Sequence, residues 1–124
     1  MLAEVSDAAC GGVVVYLGTV RSPSRGRKIS HLIYEAYEEM AEVEIERIRR
    51  VIAEKHGVRL EVQHRLGLVN VGDIAVVIVA AGEHRAEAFA AASELITELK
   101  REVPLWKQEV GPDGSRWIEG DKEV

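Results

Sequence analysis

Apolar residues recur along this chain with two different periods. Residues 12 to 20, GVVVYLGTV, form a β-branched apolar run between glycines, which predicts a buried strand. Ile29 to Tyr37 alternates loosely and predicts a second. In EEMAEVEIERIRRVIAEKHG the spacing becomes helical, with Met40, Val43 or Glu44, Ile48, Val51 and Ile52 in register, a charged outer face and a stop at Gly57. Strand alternation returns in VRLEVQHRLG, where Val58, Leu60 and Val62 share one side. VNVGD then predicts a turn into IAVVIVAA, a run apolar enough for burial on both faces. Past Gly82, EHRAEAFAAASELITELKRE is helical again: Phe89, Ala92, Ile96 and Leu99 fall at helical spacing, and the alanines permit close approach to a sheet. PLWKQEV and SRWIEG read as short strands about a Gly-Pro-Asp-Gly turn, and Gly120 to Val124 as a frayed tail. The order ββαββαββ predicts an α+β domain, two helices packed on a largely antiparallel sheet.

At 124 residues, one domain spanning 1 to 124 is expected. No apolar run has spanning length, and MLAEVSDAAC lacks the basic and apolar regions of a signal peptide, so a cytoplasmic location is the expectation. The single cysteine, Cys10, excludes an intrachain disulfide and a Cys-only zinc site within one chain. The formal net charge of -5 disfavours non-specific nucleic-acid binding. Cations gathered locally on such an acidic background point to a small anionic ligand.

Those cations sit at element ends, where sites form. KREVPLWKQEVGPDGSRW, residues 100 to 117, holds two lysines, two arginines and two tryptophans. Pro104 ends any helix entering it, so Lys100 belongs to a last helical turn and Lys107 to extended chain beyond, and two ammonium groups from different elements can converge. Trp106 offers an apolar wall able to desolvate a lysine and lower its pKa. A lysine at a helix C-terminus is also favoured by the helix dipole alone. Arg21 closes the first strand and precedes a loop, SPSRGRK, that reads as exposed and mobile. His84 and Arg85 open the second helix, where a cation opposes the dipole unless an anion is bound; the alternative is that both point into water. From Arg85 to Lys100 is fifteen helical steps, roughly 22 Å, too far for one small metabolite to bridge. Either there are two sites, or a second copy brings its His-Arg end to the first copy's lysines. Phosphate-binding glycine loops, zinc-spaced His and carboxylate clusters and an evident Ser-His-Asp set are missing from the sequence. His31, His56, His64 and His84 are scattered; His64, within a strand pattern, reads as structural, and His56 complements a helix C-terminus.

The motifs GxVxxxGTVR through Arg21, LIYEAYEEMAE, HRLGLVNVGD, EHRAEAF, LKREVPLWKQE and DGSRWIEG lie between residues 12 and 120. On them the chain closely resembles the catalytic, large subunit of molybdopterin synthase. The resemblance implies a hammerhead-like α/β core with an additional small antiparallel sheet. It implies conversion of cyclic pyranopterin monophosphate to molybdopterin by transfer of two sulfurs from the C-terminal thiocarboxylate of a small ubiquitin-like carrier. It further implies a central homodimer flanked by two carriers, with no metal and no prosthetic group. This chain has no evident sulfur source of its own, and EGDKEV lacks the terminal Gly-Gly of a carrier.

Position by position, the resemblance implies that Arg21, His84 and Arg85 hold the cyclic phosphate, the last two from the neighbouring copy. It casts Lys100 as assisting attack on the thiocarboxylate carbon, stabilising the acyl intermediate or being itself acylated, and Lys107 as binding pterin or phosphate and transferring protons. Glu109 would orient Lys107 through an ion pair; Thr19, Val20, Gln108 and Arg116 complete the substrate-binding set. Gln108 stands where a basic residue is frequent, and Glu83 adds a negative charge beside the His-Arg pair. The rival readings are a non-catalytic module binding a ubiquitin-like tail or an anionic metabolite, and a small structural dimerisation domain.

Overall fold

Two helices and two antiparallel sheets build the fold. The structure, a computed structural model, describes residues 7–36, 38–103, 105–119 and 122–123. The elements are β1 (Gly12–Thr19), β2 (His31–Ala36), α1 (Glu38–His56), β3 (Arg59–His64), β4 (Gly67–Asn70), β5 (Ile74–Gly82), α2 (Arg85–Glu102), β6 (Leu105–Gly111), β7 (Gly114–Glu119) and β8 (Lys122–Glu123). One sheet runs β1-β5-β3 and the other β4-β2-β6-β7-β8. The additional sheet is therefore the larger in strand number, because β4 and β8 join it. Gly67–Asn70 lies partly in what reads as a turn, yet it pairs with β2 from His31↔Asn70 to Tyr34↔Gly67. Lys122–Glu123, expected to fray, pairs with β7. Tyr37 and Pro104, assigned to a strand end and a helix break, lie outside the described residues.

The helices cover one face of β1-β5-β3. Leu60 and Ile78 from the sheet and Ala88, Ala91 and Leu95 from α2 are almost completely excluded from solvent. Burying each large aliphatic side chain contributes about 2 kcal/mol. Alanine at 88, 91 and 92 lets α2 lie close. The buried stripe of α1 is Ala41, Ile48 and Ile52, with Ile45 partly buried, at i, i+7, i+11 and i+4. Met40 and Val51, expected in the core, are exposed, and Val43 is 66% exposed: a three-stranded sheet plus one neighbouring helix covers only a narrow stripe. Phe89 departs from expectation for the same reason, being 62% exposed, while the alanines around it face the sheet. Gly57, at φ 63°, terminates α1 in the left-handed conformation that glycine adopts without penalty.

Two approaches fix where functional ends lie. A Cβ on Gly12 would stand 3.0 Å from the Arg85 Cα, so the start of β1 packs directly against the start of α2. At the other end α2 stops at Glu102, and the Val103 N-H donates to the Leu99 carbonyl at 3.2 Å. The chain then re-enters as β6, beside β2 in the other sheet. The Pro112-Asp113 turn closes the β6-β7 hairpin with Gly111 opposite Gly114.

Candidate active site

Strand register determines which side chains of β6 share a face. Lys107 lies opposite Tyr34 of β2 and Ile118 of β7, while Glu109 lies opposite Leu32 and Arg116. Side chains alternate along a strand, so Lys107, Glu109, Tyr34, Leu32 and Arg116 project to one face. In the other sheet, Gly18, Val76 and His64 form one row across β1, β5 and β3. A cavity of about 460 Å³ opens where these two faces meet the last turns of α2, and its wall includes Lys100, Lys107, Arg21, Arg25, His64 and Tyr34. Gly18 keeps it open: a Cβ there would overlap Val76 Cγ1 and press on the Tyr16 ring.

The structure thus brings Thr19, Val20, Arg21, Lys100, Lys107 and Glu109 to one cavity. Lys100 is exposed and Lys107 half-buried, so the apolar wall of Trp106, which lines the same space, does not enclose both amines. Val20 is buried in the second core cluster with Ile29, Leu32, Val69 and Ala75. Its backbone is clamped by Val20 N-H to the Asp73 carbonyl at 3.1 Å and Gly72 N-H to its own carbonyl at 2.8 Å, which fixes Arg21 at the rim.

Four expected site residues are placed otherwise. Gln108 points to the opposite face of β6, where its Nε2 donates to Ser115 Oγ at 2.8 Å. Arg116 is drawn into a buried lock, its Nε donating to Glu109 Oε1 at 2.7 Å and an Nη to the Ser24 carbonyl at 2.8 Å. It neutralises a carboxylate rather than facing the cavity. His84 and Arg85 are exposed at the far end of α2, outside the cavity. The His84 backbone N-H donates to Glu87 Oε1 at 2.6 Å, and its ring Nε2 lies 3.7 Å from Glu83 Oε1.

Glu109, expected to orient Lys107, is 3% exposed and holds the segment after Arg21. It accepts from Ser24 Oγ at 2.7 Å and from Arg25 at 3.2 Å in addition to Arg116. Burial pushes its carboxyl pKa up, but hydrogen bonds from Ser24 and Arg116 and the charges of Arg116 and Arg25 prevail and hold it below the ordinary value. The loop that reads as mobile is therefore pinned, with Ser24 buried and Arg25 held at φ 51°. That left-handed conformation is uncommon for arginine and places its side chain on the cavity wall. Arg25 gives no signal in the sequence, because its partner is 84 residues away. His64 does give one: it continues the parity of Leu60 and Val62, the inward side of β3. Its ring meets Tyr34 edge-on with centroids 4.8 Å apart. Burial, and then the charge of Lys107, lower its pKa against the opposing effect of the Arg65 carbonyl. Burial raises the Tyr34 pKa, reinforced by Glu109 and Tyr16.

With four cationic side chains around one carboxylate that is already engaged, the cavity favours an anion. Cys10 is remote from it, packed with Val79 and Ala81. Among the described residues no cluster of His, Cys, Asp and Glu is arranged to hold a metal ion, and no helix is long and apolar enough to cross a membrane.

The chain is similar to known proteins in sequence and in fold. Residues 1–102 match the family model described as MoaE protein. The chain is 44% identical over 124 residues to the molybdopterin synthase catalytic subunit of Pyrococcus abyssi, covering 99% of this chain and 84% of that protein. It is 44% identical over 123 residues to molybdopterin synthase catalytic subunit 1 of Mycobacterium tuberculosis, covering 98% and 83%. The crystal structure of molybdopterin synthase from Staphylococcus aureus superposes with a TM-score of 0.88 at 38% identity, over 94% of this chain and 85% of that one. A complex of subunits 1 and 2 of the molybdopterin-converting factor from Helicobacter pylori does so with a TM-score of 0.71 at 25% identity, over 86% and 70%.

Proposed function

The chain belongs to the MoaE protein family and acts as the catalytic, sulfur-transferring subunit of a molybdopterin synthase, and from that premise we propose how its cavity does so. The substrate is cyclic pyranopterin monophosphate, and the sulfur arrives on the C-terminal thiocarboxylate of a small ubiquitin-like carrier. The observation that carries this reading is the convergence of Lys100 from α2, Lys107 from β6 and Arg21 from the loop after β1 on one cavity large enough for a pterin-sized ligand. Arg21 binds the substrate's phosphate and Lys107 the pterin or phosphate. Lys100, at the exposed end, meets the incoming tail and stabilises negative charge developing at the acyl carbon. An assay on the cytoplasmic partners, combining this protein with substrate and thiocarboxylated carrier in a single turnover, is expected to yield dithiolene product in a mass spectrum only when both are present. Carrier binding without product would instead favour a non-catalytic tail-binding module.

The remote His84-Arg85 pair fits a homodimer in which each copy supplies that pair to its neighbour's cavity. Val13, Val15 and Leu17, exposed on the sheet face away from the helices, offer apolar surface for such an association. Arg85→Ala is expected to weaken substrate binding about tenfold or more, the size of one charge-assisted contact to an anion, with little change in the chemical step. Mixing Arg85→Ala with Lys100→Ala protein is expected to restore part of the activity through hybrid dimers. Absence of recovery despite confirmed subunit exchange would refute the shared site.

A further inference from the structure

His64 sits where two cavities meet. Besides the basic one, a second cavity of about 220 Å³ is lined by Glu38 and Glu42 of α1, and His64 and Leu105 belong to the walls of both. The Nδ1 of His64 lies 2.6 Å from the Arg65 carbonyl oxygen, an acceptor only. Nδ1 must therefore carry the proton, which leaves Nε2 with a lone pair. Among the described residues nothing hydrogen-bonds to that Nε2, and it is not sealed from solvent. The ring is held in place by its edge-on contact with Tyr34. Other groups of the wall are poorly suited to accept a proton: lysine in its ammonium form only donates, the Glu109 carboxylate is occupied by Ser24, Arg25 and Arg116, and the Tyr34 phenol is held protonated by burial and nearby negative charge. The lowered His64 pKa keeps its imidazole neutral near pH 7.

We propose that His64 is a further catalytic residue, the general base that activates the water releasing the spent carrier. This rests on the sulfur-transfer reading above. Once the thiocarboxylate sulfur has bonded to a substrate carbon, the carrier remains attached to that sulfur as a thioester. Water oxygen adds to the acyl carbon and its proton passes to His64 Nε2. The carbon-sulfur bond to the carrier then breaks, and Nε2 returns the proton to the departing sulfur. The products are the carrier's carboxylic acid and the substrate thiol, with no change in oxidation state.

The test follows single turnovers by mass spectrometry, scoring the covalent carrier-substrate adduct over time. His64→Asn retains a donor near the Nδ1 position but has nothing at Nε2. It is expected to form the adduct at the wild-type rate and to break it down about a hundredfold more slowly, the usual scale of general-base catalysis. Breakdown at the wild-type rate would overturn the role of His64. Equal slowing of formation and breakdown would also overturn it, since that is the mark of positioning alone. His64→Gln, closer in volume, takes the same test should the asparagine variant not fold. A wild-type protein that gives neither adduct nor product would refute the underlying sulfur-transfer reading instead, whatever the variants do.

Discussion

Replacing Lys100 by alanine is expected to lower product formation by about 10²–10³-fold, the loss typical when one preorganised stabiliser of a developing oxyanion is removed. Carrier affinity is expected to hold. Lys100 lies in the last turn of α2 on the cavity wall, and in the proposed mechanism its ammonium acts on a carbonyl whose charge grows only as the acyl carbon is attacked. A group used in this way contributes little to the ground-state complex, so the defect belongs in the single-turnover rate rather than in the dissociation constant. Titrating carrier onto the variant by calorimetry, alongside the rate measurement, separates the two. Near-normal turnover would remove Lys100 from the chemistry.

Glu109→Gln is the second substitution with a large expected effect, and its readout is stability. The carboxylate sits beside the Arg116 side chain, 9% exposed, and compensates both that guanidinium and the more exposed Arg25. Glutamine preserves the shape but removes the negative charge hydrogen-bonded to a buried guanidinium, which costs about 3 kcal/mol. In a domain of this size the thermal midpoint should fall by roughly 10 °C. The pH dependence has a definite sign. Because the folded-state pKa of Glu109 is depressed, its contribution is complete above the ordinary value of 4.5 and is lost as pH falls through the lower folded value. Thermal melts of wild type and variant should therefore differ most above pH 4.5 and converge below it. Equal midpoints at neutral pH would show that the lock does not contribute to stability.

Most of the secondary structure was legible because each period change in the apolar pattern coincides with a real boundary. The exceptions have physical causes. β4 is four residues long, opens on Gly67 at φ 85° and is followed by Gly72 at φ 89°, and its strand identity comes from pairing with β2 rather than from local propensity. Met40, Val43, Val51 and Phe89 satisfy helical spacing but fall on the flank of the buried stripe, a distinction that depends on the width of the sheet beneath. Arg21, Lys100 and Lys107, expected from their places at element ends, line one cavity. Arg25 could not be read in the same way, since its place depends on Ser24 and Glu109 meeting across the molecule. Arg116 read as an anion-binding candidate for want of the same contact. His64 was legible in principle through its parity on β3, but the alternation of a strand cannot distinguish an inward side chain in a core from one beside a cavity.

The alternation of β6 also has a consequence for how this segment tolerates change. Lys107 and Glu109 reach one face and Gln108 the other, so the amine on the cavity wall and the anchor of the Ser24-Arg25 loop are indexed by the same two-residue step. A deletion or insertion of a single residue between Leu105 and Lys107 would rotate both outward together, and one between Lys107 and Glu109 would put them on opposite faces. At the Pro112-Asp113 turn, beyond the indexed stretch, extra length would be absorbed as loop. The hairpin thus combines a segment whose length is fixed by strand register with a tip that can gain or lose residues.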